Sequence, residues 1–186
     1  FYSFAVSDRE YMITLVVMLA TALLTSTLMH RTRSQAMLFR RRQAITQSLL
    51  EFATELADQN SVDAIGQVVA ARIGSFFGCD SVVLHRENDH LRAIGRHGAA
   101  FADDDKEAAV ARWVLDHNEP AGAGTSTLPL AIGAYLPLRG SASRVIGVLA
   151  LRSINLNPVR DPDDLRLIES LALQAATALE RAALTE

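Results

Sequence analysis

The chain has 186 residues, which is enough for one domain or for one domain with an appendage. Its composition, 49% hydrophobic and 21% charged with a single cysteine, excludes a disordered chain, a collagen-like repeat and a disulfide-stapled miniprotein. The net charge of −3 argues against wholesale nucleic-acid binding, but residues 1–42 carry six arginines against Asp8 and Glu10, a balance of +4. The remaining residues, 43–186, carry a balance of −7. Because the chain begins with Phe1 rather than Met, we expect it to be a piece of a longer protein.

An uncharged stretch near the N-terminus predicts a transmembrane helix. Residues 11–29 read YMITLVVMLATALLTSTLM, and as a helix they would span ~28 Å, about the thickness of the hydrocarbon core of a bilayer. Residues 1–10 contain three aromatic side chains and are predicted to form an extracytoplasmic or interfacial segment. A buried core helix is the alternative interpretation. A signal peptide is disfavoured, because it would carry its positive charges before the apolar run.

The segment that follows, 30–42, is rich in arginine and is predicted to be a juxtamembrane helix. The positive charges place the C-terminal side of the membrane helix in the cytoplasm. One interpretation is that the cluster only fixes the topology; we also expect it to contact membrane lipid and take part in signalling. Its arginines are Arg31, Arg33, Arg40, Arg41 and Arg42.

No Gly or Pro precedes Gly66, so the sequence does not oblige the membrane helix to end at the surface. Apolar residues continue at a heptad-like spacing through Ile45, Leu49, Phe52 and Leu56. Two interpretations stay open at this point: a coiled coil, or an amphipathic face that packs on the following domain.

The region 43–186 predicts an α+β fold, beginning with a helix and a hairpin. Ser61 suits the N-cap of the helix and Gly78 suits its end. The predicted apolar face of this helix comprises Val62, Ile65, Val69, Ile73 and Phe76. Residues 81–87 and 90–97 flank Asn88-Asp89 and predict two antiparallel strands.

The second half of this region is predicted to contain a helix, a loop, a hairpin and a last helix. Three aspartates at 103–105 favour the start of a helix that runs to His117, and the Gly-, Pro- and Thr-rich stretch 119–133 predicts a loop. Strands follow around a turn at 140–143, with Pro137 suited to an edge or a bulge. A last helix begins at Pro162. This order predicts a small antiparallel sheet flanked by helices.

Apolar faces at the two ends of this region predict a homodimer. The first and last helices could form a parallel four-helix bundle across a twofold axis. The predicted interface residues are Ile45, Leu49, Phe52, Leu56, Ile168, Leu171, Ala175 and Ala178.

The stretch YLPL, the stretch VIGVLAL and the helix DLRLIESLALQAATALER together resemble the C-terminal half of a GAF domain, over residues 135–181. The segments ARWVLDHNEPAGAGTSTLP at 111–129 and FYSFAVSD at 1–8 resemble potassium-responsive sensor histidine kinases of the KdpD type. The resemblance implies the last membrane helix of a receptor in the bacterial inner membrane. It also implies a cytoplasmic GAF-like domain with flanking signalling helices, ahead of a kinase core.

The resemblance implies that the parent protein is an ATP-dependent histidine kinase with a cytoplasmic response regulator as partner. None of the five histidines is followed by an acidic residue and an Arg-x-x-Pro stretch, as a phosphoacceptor site would require. We therefore expect this piece to be no enzyme by itself and to need no cofactor and no nucleic acid. The kinase core is expected to begin where this chain ends.

A ligand pocket is suggested by the resemblance, because GAF pockets lie between the sheet and such loops. The candidate residues are Trp113, Gly122, Gly124, Thr125, Thr127 and Tyr135, which offer an aromatic surface, hydroxyls and backbone groups. The alternative is that Trp113 belongs to the core and that the glycines only serve turns of the loop.

Cys79 stands alone, which excludes the two-cysteine chemistry of GAF-type methionine sulfoxide reductases. If Asn88-Asp89 is a two-residue turn, Asp80 lies opposite His97 with Cys79 beside it. Those three residue types are zinc ligands, but an Asp–His surface pair is the commoner outcome, and we expect no metal site.

Two functional hypotheses follow. In the first, the chain is a signal relay of a sensor histidine kinase in potassium and osmotic regulation, an assignment that rests on the resemblance. In the second, it is a small-ligand GAF sensor of another membrane receptor that regulates a cyclase or a phosphodiesterase. The sequence does not identify the stimulus.

Overall fold

The computed structural model describes residues 15–22, 49–88, 90–99, 101–141, 144–153 and 161–184. The chain divides into two compact units, Phe1–Ser48 and Leu49–Glu186. In the first unit residues 15–22 are helical, and the Thr21 hydroxyl donates to the carbonyl oxygen of Val17. The rest of the predicted span 11–29 and the arginine cluster lie outside the described residues. Within the described ranges, no helix is long and apolar enough to cross a membrane.

The second unit combines helices with antiparallel strands, as the predicted α+β class implies. In chain order the elements are α1, which includes 49–57, α2 (Val62–Phe77), β1 (Asp80–Glu87), β2 (His90–His97), α3 (Asp105–His117), β3 (Ala121–Gly122), β4 (Ala134–Arg139), β5 (Val145–Arg152) and α4 (Pro162–Ala183). Among the described residues the five strands form one antiparallel sheet in the order β2-β1-β5-β4-β3. The predicted loop 119–133 thus contains a short strand, β3, which pairs with β4.

Local signals set the helix ends. The Ser61 hydroxyl accepts a hydrogen bond from the backbone N–H of Ala64 at 3.2 Å, and Gly78 ends α2 in the left-handed region with φ of 60°. The Asp161 carboxylate accepts from the N–H of Asp163 at 2.9 Å, with Pro162 in the first turn of α4. These ends confirm the sequence predictions, because capping depends only on residues within one turn.

The hairpin of β1 and β2 has the predicted register only near its turn. Pairing from Glu87 with His90 to Leu84 with Ala93 is as predicted, but a bulge between Val83 and Leu84 shifts the remaining pairs by one residue. Ser81, rather than Asp80, therefore pairs with His97. The predicted position of Asp80 opposite His97 is wrong.

Both faces of the sheet are covered. Alternate strand residues point to opposite faces, so Val83 packs on one side with α1, α2 and α4, and Val82 packs on the other side with α3. On the first side α2 approaches β2 so closely that a Cβ at Gly95 would collide with the carbonyl oxygen of Gly66. On the second side α3 and the stretch 119–133 cover the sheet. This second side is where the predicted ligand residues lie.

The apolar faces of α1 and α4 cover the sheet of their own chain. The buried members of the predicted dimer set are Phe52, Leu56, Ile168, Leu171, Ala175 and Ala178. Leu49 packs partly buried against the same core, and Ile45 lies outside the described residues. These side chains therefore pack within the core of their own chain, and dimerisation through the flanking helices stays a prediction. The heptad-like apolar residues were open to two interpretations, a coiled coil or packing on the following domain. Phe52 and Leu56 pack on the following domain.

The predicted apolar face of α2 needs one correction. Val62, Ile65, Val69 and Ile73 are buried as predicted, whereas Phe76 is 51% exposed. Phe77 packs against the core instead. Gly66, Ala70 and Gly74 are buried as well, so the buried face of α2 is wider than the predicted one and its centre lies nearer to Phe77 than to Phe76.

Candidate functional site

The predicted ligand residues lie together on the side of the sheet that α3 covers. Tyr135 on β4 is fully buried there, and Trp113 on α3 packs partly buried against the same core. The other four residues lie in the stretch 119–133, which runs from the C-terminal end of α3 to the start of β4.

Trp113 belongs to the end of α3. Its indole ring stacks on the His117 ring with centroids 4.1 Å apart and planes 8° apart. The Nδ1 atom of His117 lies 2.9 Å from the carbonyl oxygen of Trp113. Asn118 then ends the helix in the left-handed region, and its side-chain oxygen accepts from Arg139 of β4 at 2.7 Å. The tryptophan is thus part of a helix terminus that is fastened to the sheet.

The polar groups of the loop bind one another. The Thr125 hydroxyl lies 2.8 Å from the carbonyl oxygen of Gly122 and 2.7 Å from that of Thr127. The N–H of Gly122 donates to the carbonyl oxygen of Thr127 at 2.7 Å. Gly122 and Gly124 have positive φ angles of 98° and 84°, so these glycines serve turns of the loop. The Thr125 hydroxyl and the N–H of Gly122, two of the groups predicted to meet a ligand, are thus engaged within the chain.

A buried carboxylate that sequence reasoning missed holds the end of this loop. Glu107, on the first turn of α3, is 3% exposed. Its carboxylate accepts hydrogen bonds from the N–H of Ile132 at 2.9 Å, the N–H of Gly133 at 3.1 Å and the hydroxyl of Tyr135 at 2.7 Å. Burial and the hydrogen bond to Glu107 raise the pKa of Tyr135 well above its ordinary value, so the phenol stays protonated as a donor.

The sequence carried a signal for this site. Glu107 lies three, four and seven residues before Val110, Ala111 and Val114, which all point to the core. A charged residue at a core position of an amphipathic helix needs hydrogen-bond partners, because an unpartnered buried charge is very costly. Its partners lie 25 to 28 residues further along the chain, beyond the reach of helical periodicity.

Asp80, one of the three residues weighed as zinc ligands, links strands β1 and β5. Its carboxylate accepts from Arg152 of β5 at 3.1 and 2.6 Å and from the N–H of Ala99 at 2.9 Å. These hydrogen bonds hold the pKa of Asp80 below its usual range. The guanidinium of Arg152 lies 5.0 Å from the centre of the Phe101 ring.

Cys79, beside Asp80, is buried. Burial, and then the negative charge of Asp80, raise the pKa of its thiol to about 11, which disfavours the thiolate that binds metals. No group of three His, Cys, Asp or Glu side chains suited to a metal occurs in the described part of the chain.

Comparison with known proteins identifies the relatives of the chain. Residues 61–181 match the family described as GAF domain, and residues 1–42 match a domain of unknown function, DUF4118. Sensor protein KdpD of Escherichia coli is 36% identical over 182 residues, which is 97% of this chain and 20% of that protein. Sensor protein KdpD of Clostridium acetobutylicum is 26% identical over 99% of this chain and 21% of its own length. The chain thus spans about a fifth of these relatives.

Solved structures agree with this assignment. The GAF domain of the potassium sensor histidine kinase KdpD from Escherichia coli superposes with a TM-score of 0.65 at 32% identity, covering 75% of this chain and 96% of that one. PelD from Pseudomonas aeruginosa PAO1, in complex with c-di-GMP, superposes with a TM-score of 0.54 at 21% identity, over 76% of this chain and 51% of that one. The second likeness concerns the fold alone. With a matching family region over most of its length and this fold, the chain belongs to the GAF domain family and is a homologue of KdpD sensor proteins.

Proposed function

We propose that the chain is the membrane-anchored sensory and relay region of a sensor histidine kinase. In this proposal a signal passes from the membrane helix through the GAF domain to a downstream kinase core. The observation that carries it is the similarity to Sensor protein KdpD, which extends over 97% of the chain and so includes the N-terminal segment as well as the GAF domain. A GAF sensor of another kind of membrane receptor would not be expected to share this similarity outside its GAF domain.

The structure of the second unit supports a relay because α1 and α4 share one core. Phe52 and Leu56 of α1 pack in the same cluster as Ile168 and Leu179 of α4. Since packed interiors are dense and transmit strain, a displacement of α1 acts on α4 directly.

Hydrogen bonds hold the C-terminal turns of α4 at two further places. Arg181 donates to the carbonyl oxygen of Leu56, near the end of α1, at 3.1 Å. Glu180 accepts from the N–H and the hydroxyl of Ser141, in the turn between β4 and β5, at 2.8 and 2.6 Å. The last turns of α4 are thus hydrogen-bonded both to the end of α1 and to the turn between β4 and β5.

The parent protein in this proposal is an ATP-dependent histidine kinase of the bacterial inner membrane that works as a homodimer. Residues after about 30 lie in the cytoplasm, the arginine cluster contacts lipid, and a response regulator receives the phosphoryl group. The alternative of a small-ligand sensor that regulates a cyclase or phosphodiesterase has less support, because the polar groups of Thr125 and Tyr135 bind other parts of the chain.

A proline placed between the membrane segment and the GAF domain tests the relay. Gln35→Pro would remove a helical hydrogen bond and cost ~3 kcal/mol locally. In the full-length receptor we expect normal expression and membrane location but loss of the coupling between stimulus and autophosphorylation. Gln35→Ala is the control, because alanine is the best helix former and should leave signalling intact. A proline variant that signals normally would contradict the relay.

A further inference from the structure

The turn between β4 and β5 contacts helices on both faces of the sheet. Alternate residues of β4 point to opposite faces, so Tyr135 packs in the cluster with α3 and Leu138 packs in the cluster with α4. The strand ends at Arg139, after a bulge between Leu138 and Arg139. Arg139 and Ser141, on either side of Gly140, then bind two different helices. The turn therefore lies where neighbouring residues reach both layers of the domain.

On one face, Arg139 holds the C-terminal end of α3. Its Nε atom donates to the side-chain oxygen of Asn118 at 2.7 Å, and its Nη2 atom donates to the main-chain carbonyl oxygen of the same residue at 2.9 Å. Asn118 ends α3 with a φ of 56°, and its N–H donates to the carbonyl oxygen of Val114 at 2.9 Å. Because the guanidinium group is a rigid fork, a displacement of the end of α3 acts on the end of β4.

On the other face, Ser141 and Gly140 hold Glu180 of α4. The Glu180 carboxylate accepts from the N–H and the hydroxyl of Ser141 at 2.8 and 2.6 Å, and these hydrogen bonds hold the pKa of Glu180 below its usual range. The backbone of Gly140 lies against the same side chain, since a Cβ there would come within 3.1 Å of the Glu180 Oε2 atom. The N–H of Gly140 donates to the carbonyl oxygen of Arg144 at 2.8 Å, which closes the turn. One hydrogen-bonded residue thus joins the two helix contacts.

We propose that this turn couples the end of α3 to the last turns of α4. The four residues that make the coupling contacts are called the clamp: Asn118, Arg139, Ser141 and Glu180. A displacement of α3, or of the stretch 119–133 that follows it, then acts on α4 without passing through α1. The clamp gives α4 a second input, from the face of the sheet opposite α1. The inference rests on the proposed function only in taking α4 as the output helix, and the coupling itself is measurable without a stimulus or a kinase.

Hydrogen–deuterium exchange of the full chain in neutral detergent tests the coupling. Arg139→Met removes both hydrogen bonds to Asn118 and approximately keeps the length of the side chain. We expect the amides of residues 177–184, at the C-terminal end of α4, to exchange about two- to tenfold faster, the factor that corresponds to the loss of about one hydrogen bond. Arg112→Met, the same change at an exposed arginine of α3, is the control and should leave these amides unchanged.

The opposite perturbation should have a matching effect, because coupling between two sites is reciprocal. Glu180→Ala removes the acceptor for Ser141 while alanine preserves the helix, and it should accelerate exchange in residues 114–118 at the end of α3. Glu169→Ala, at an exposed glutamate of α4, is the control. In the double variant Arg139→Met, Glu180→Ala, exchange at the end of α4 should equal that of Glu180→Ala alone, because the clamp is already open.

Three results would overturn the proposal. Unchanged exchange at the end of α4 in Arg139→Met would show that the contact with α3 does not reach α4. Multiplied accelerations in the double variant would show that the two contacts act independently. An equal acceleration throughout α2 would show a general loss of stability in place of coupling. The relay can fail separately, because Gln35→Pro tests it in the receptor without changing any residue of the clamp.

Discussion

The buried carboxylate of Glu107 offers the sharpest test of the structure. Glu107→Ala would remove the acceptor for the N–H groups of Ile132 and Gly133 and for the Tyr135 hydroxyl, at 2.9, 3.1 and 2.7 Å. A hydrogen bond to a charged group contributes ~1.5–3 kcal/mol, and a buried donor left without a partner costs its desolvation. The three contributions are not additive, because the loop can relax toward water once it is released.

We therefore expect Glu107→Ala to lower the free energy of unfolding by ~3–5 kcal/mol, a large part of the ~5–15 kcal/mol of a typical domain. Tyr135→Phe removes one of the three bonds and should cost ~1.5–3 kcal/mol. The measurement is urea unfolding followed by circular dichroism and by the fluorescence of Trp113, which lies on the same helix.

A double-mutant cycle provides the control. Since the Tyr135 hydroxyl loses its partner in Glu107→Ala, adding Tyr135→Phe to that variant should cost much less than it does in the wild type. A loss below ~1 kcal/mol for Glu107→Ala would refute the reasoning, because it would mean that the carboxylate is hydrated rather than holding the loop.

Three further predictions concern other contacts of the second unit. Because the folded-state pKa of Asp80 is lowered, its contribution to stability is present above the ordinary aspartate pKa of about 4 and is lost as the pH falls through the folded-state value. Asp80→Asn should therefore flatten the acid side of the stability profile in urea titrations, and an unchanged profile would mean that the bond to Arg152 is not formed. With its pKa raised to about 11 by burial, Cys79 should react with iodoacetamide at pH 8 far more slowly than free cysteine, and labelling at the rate of the free amino acid would show that its site is open. If the chain dimerises through exposed leucines of α1 and α4, Leu173→Glu should weaken the dimer in sedimentation equilibrium, whereas an unchanged dissociation constant would remove Leu173 from the interface.

The sequence alone predicted the local features of the second unit. The Ser61 cap, the Gly78 terminus and the start of α4 at Pro162 each depend on neighbours within one turn, and the structure has all three. Both hairpins and the α+β class follow from apolar alternation and turn residues in the same way. The predicted order of the elements also implied an antiparallel sheet flanked by helices, which the fold confirms.

Tertiary structure decided what each apolar face meets and where buried charges find partners. An amphipathic helix shows that one face must be covered but not by what, and the structure places Ile168 and Ala175 of α4 in the core of their own chain. A two-residue turn implies one register along the whole hairpin, but a bulge between Val83 and Leu84 shifts the pairs beyond it by one residue. Glu107 and Asp80 find partners 25 and 72 residues away, at Ile132 and Arg152. Periodicity reports only neighbours along the chain, and these contacts exist because folding brings distant segments together.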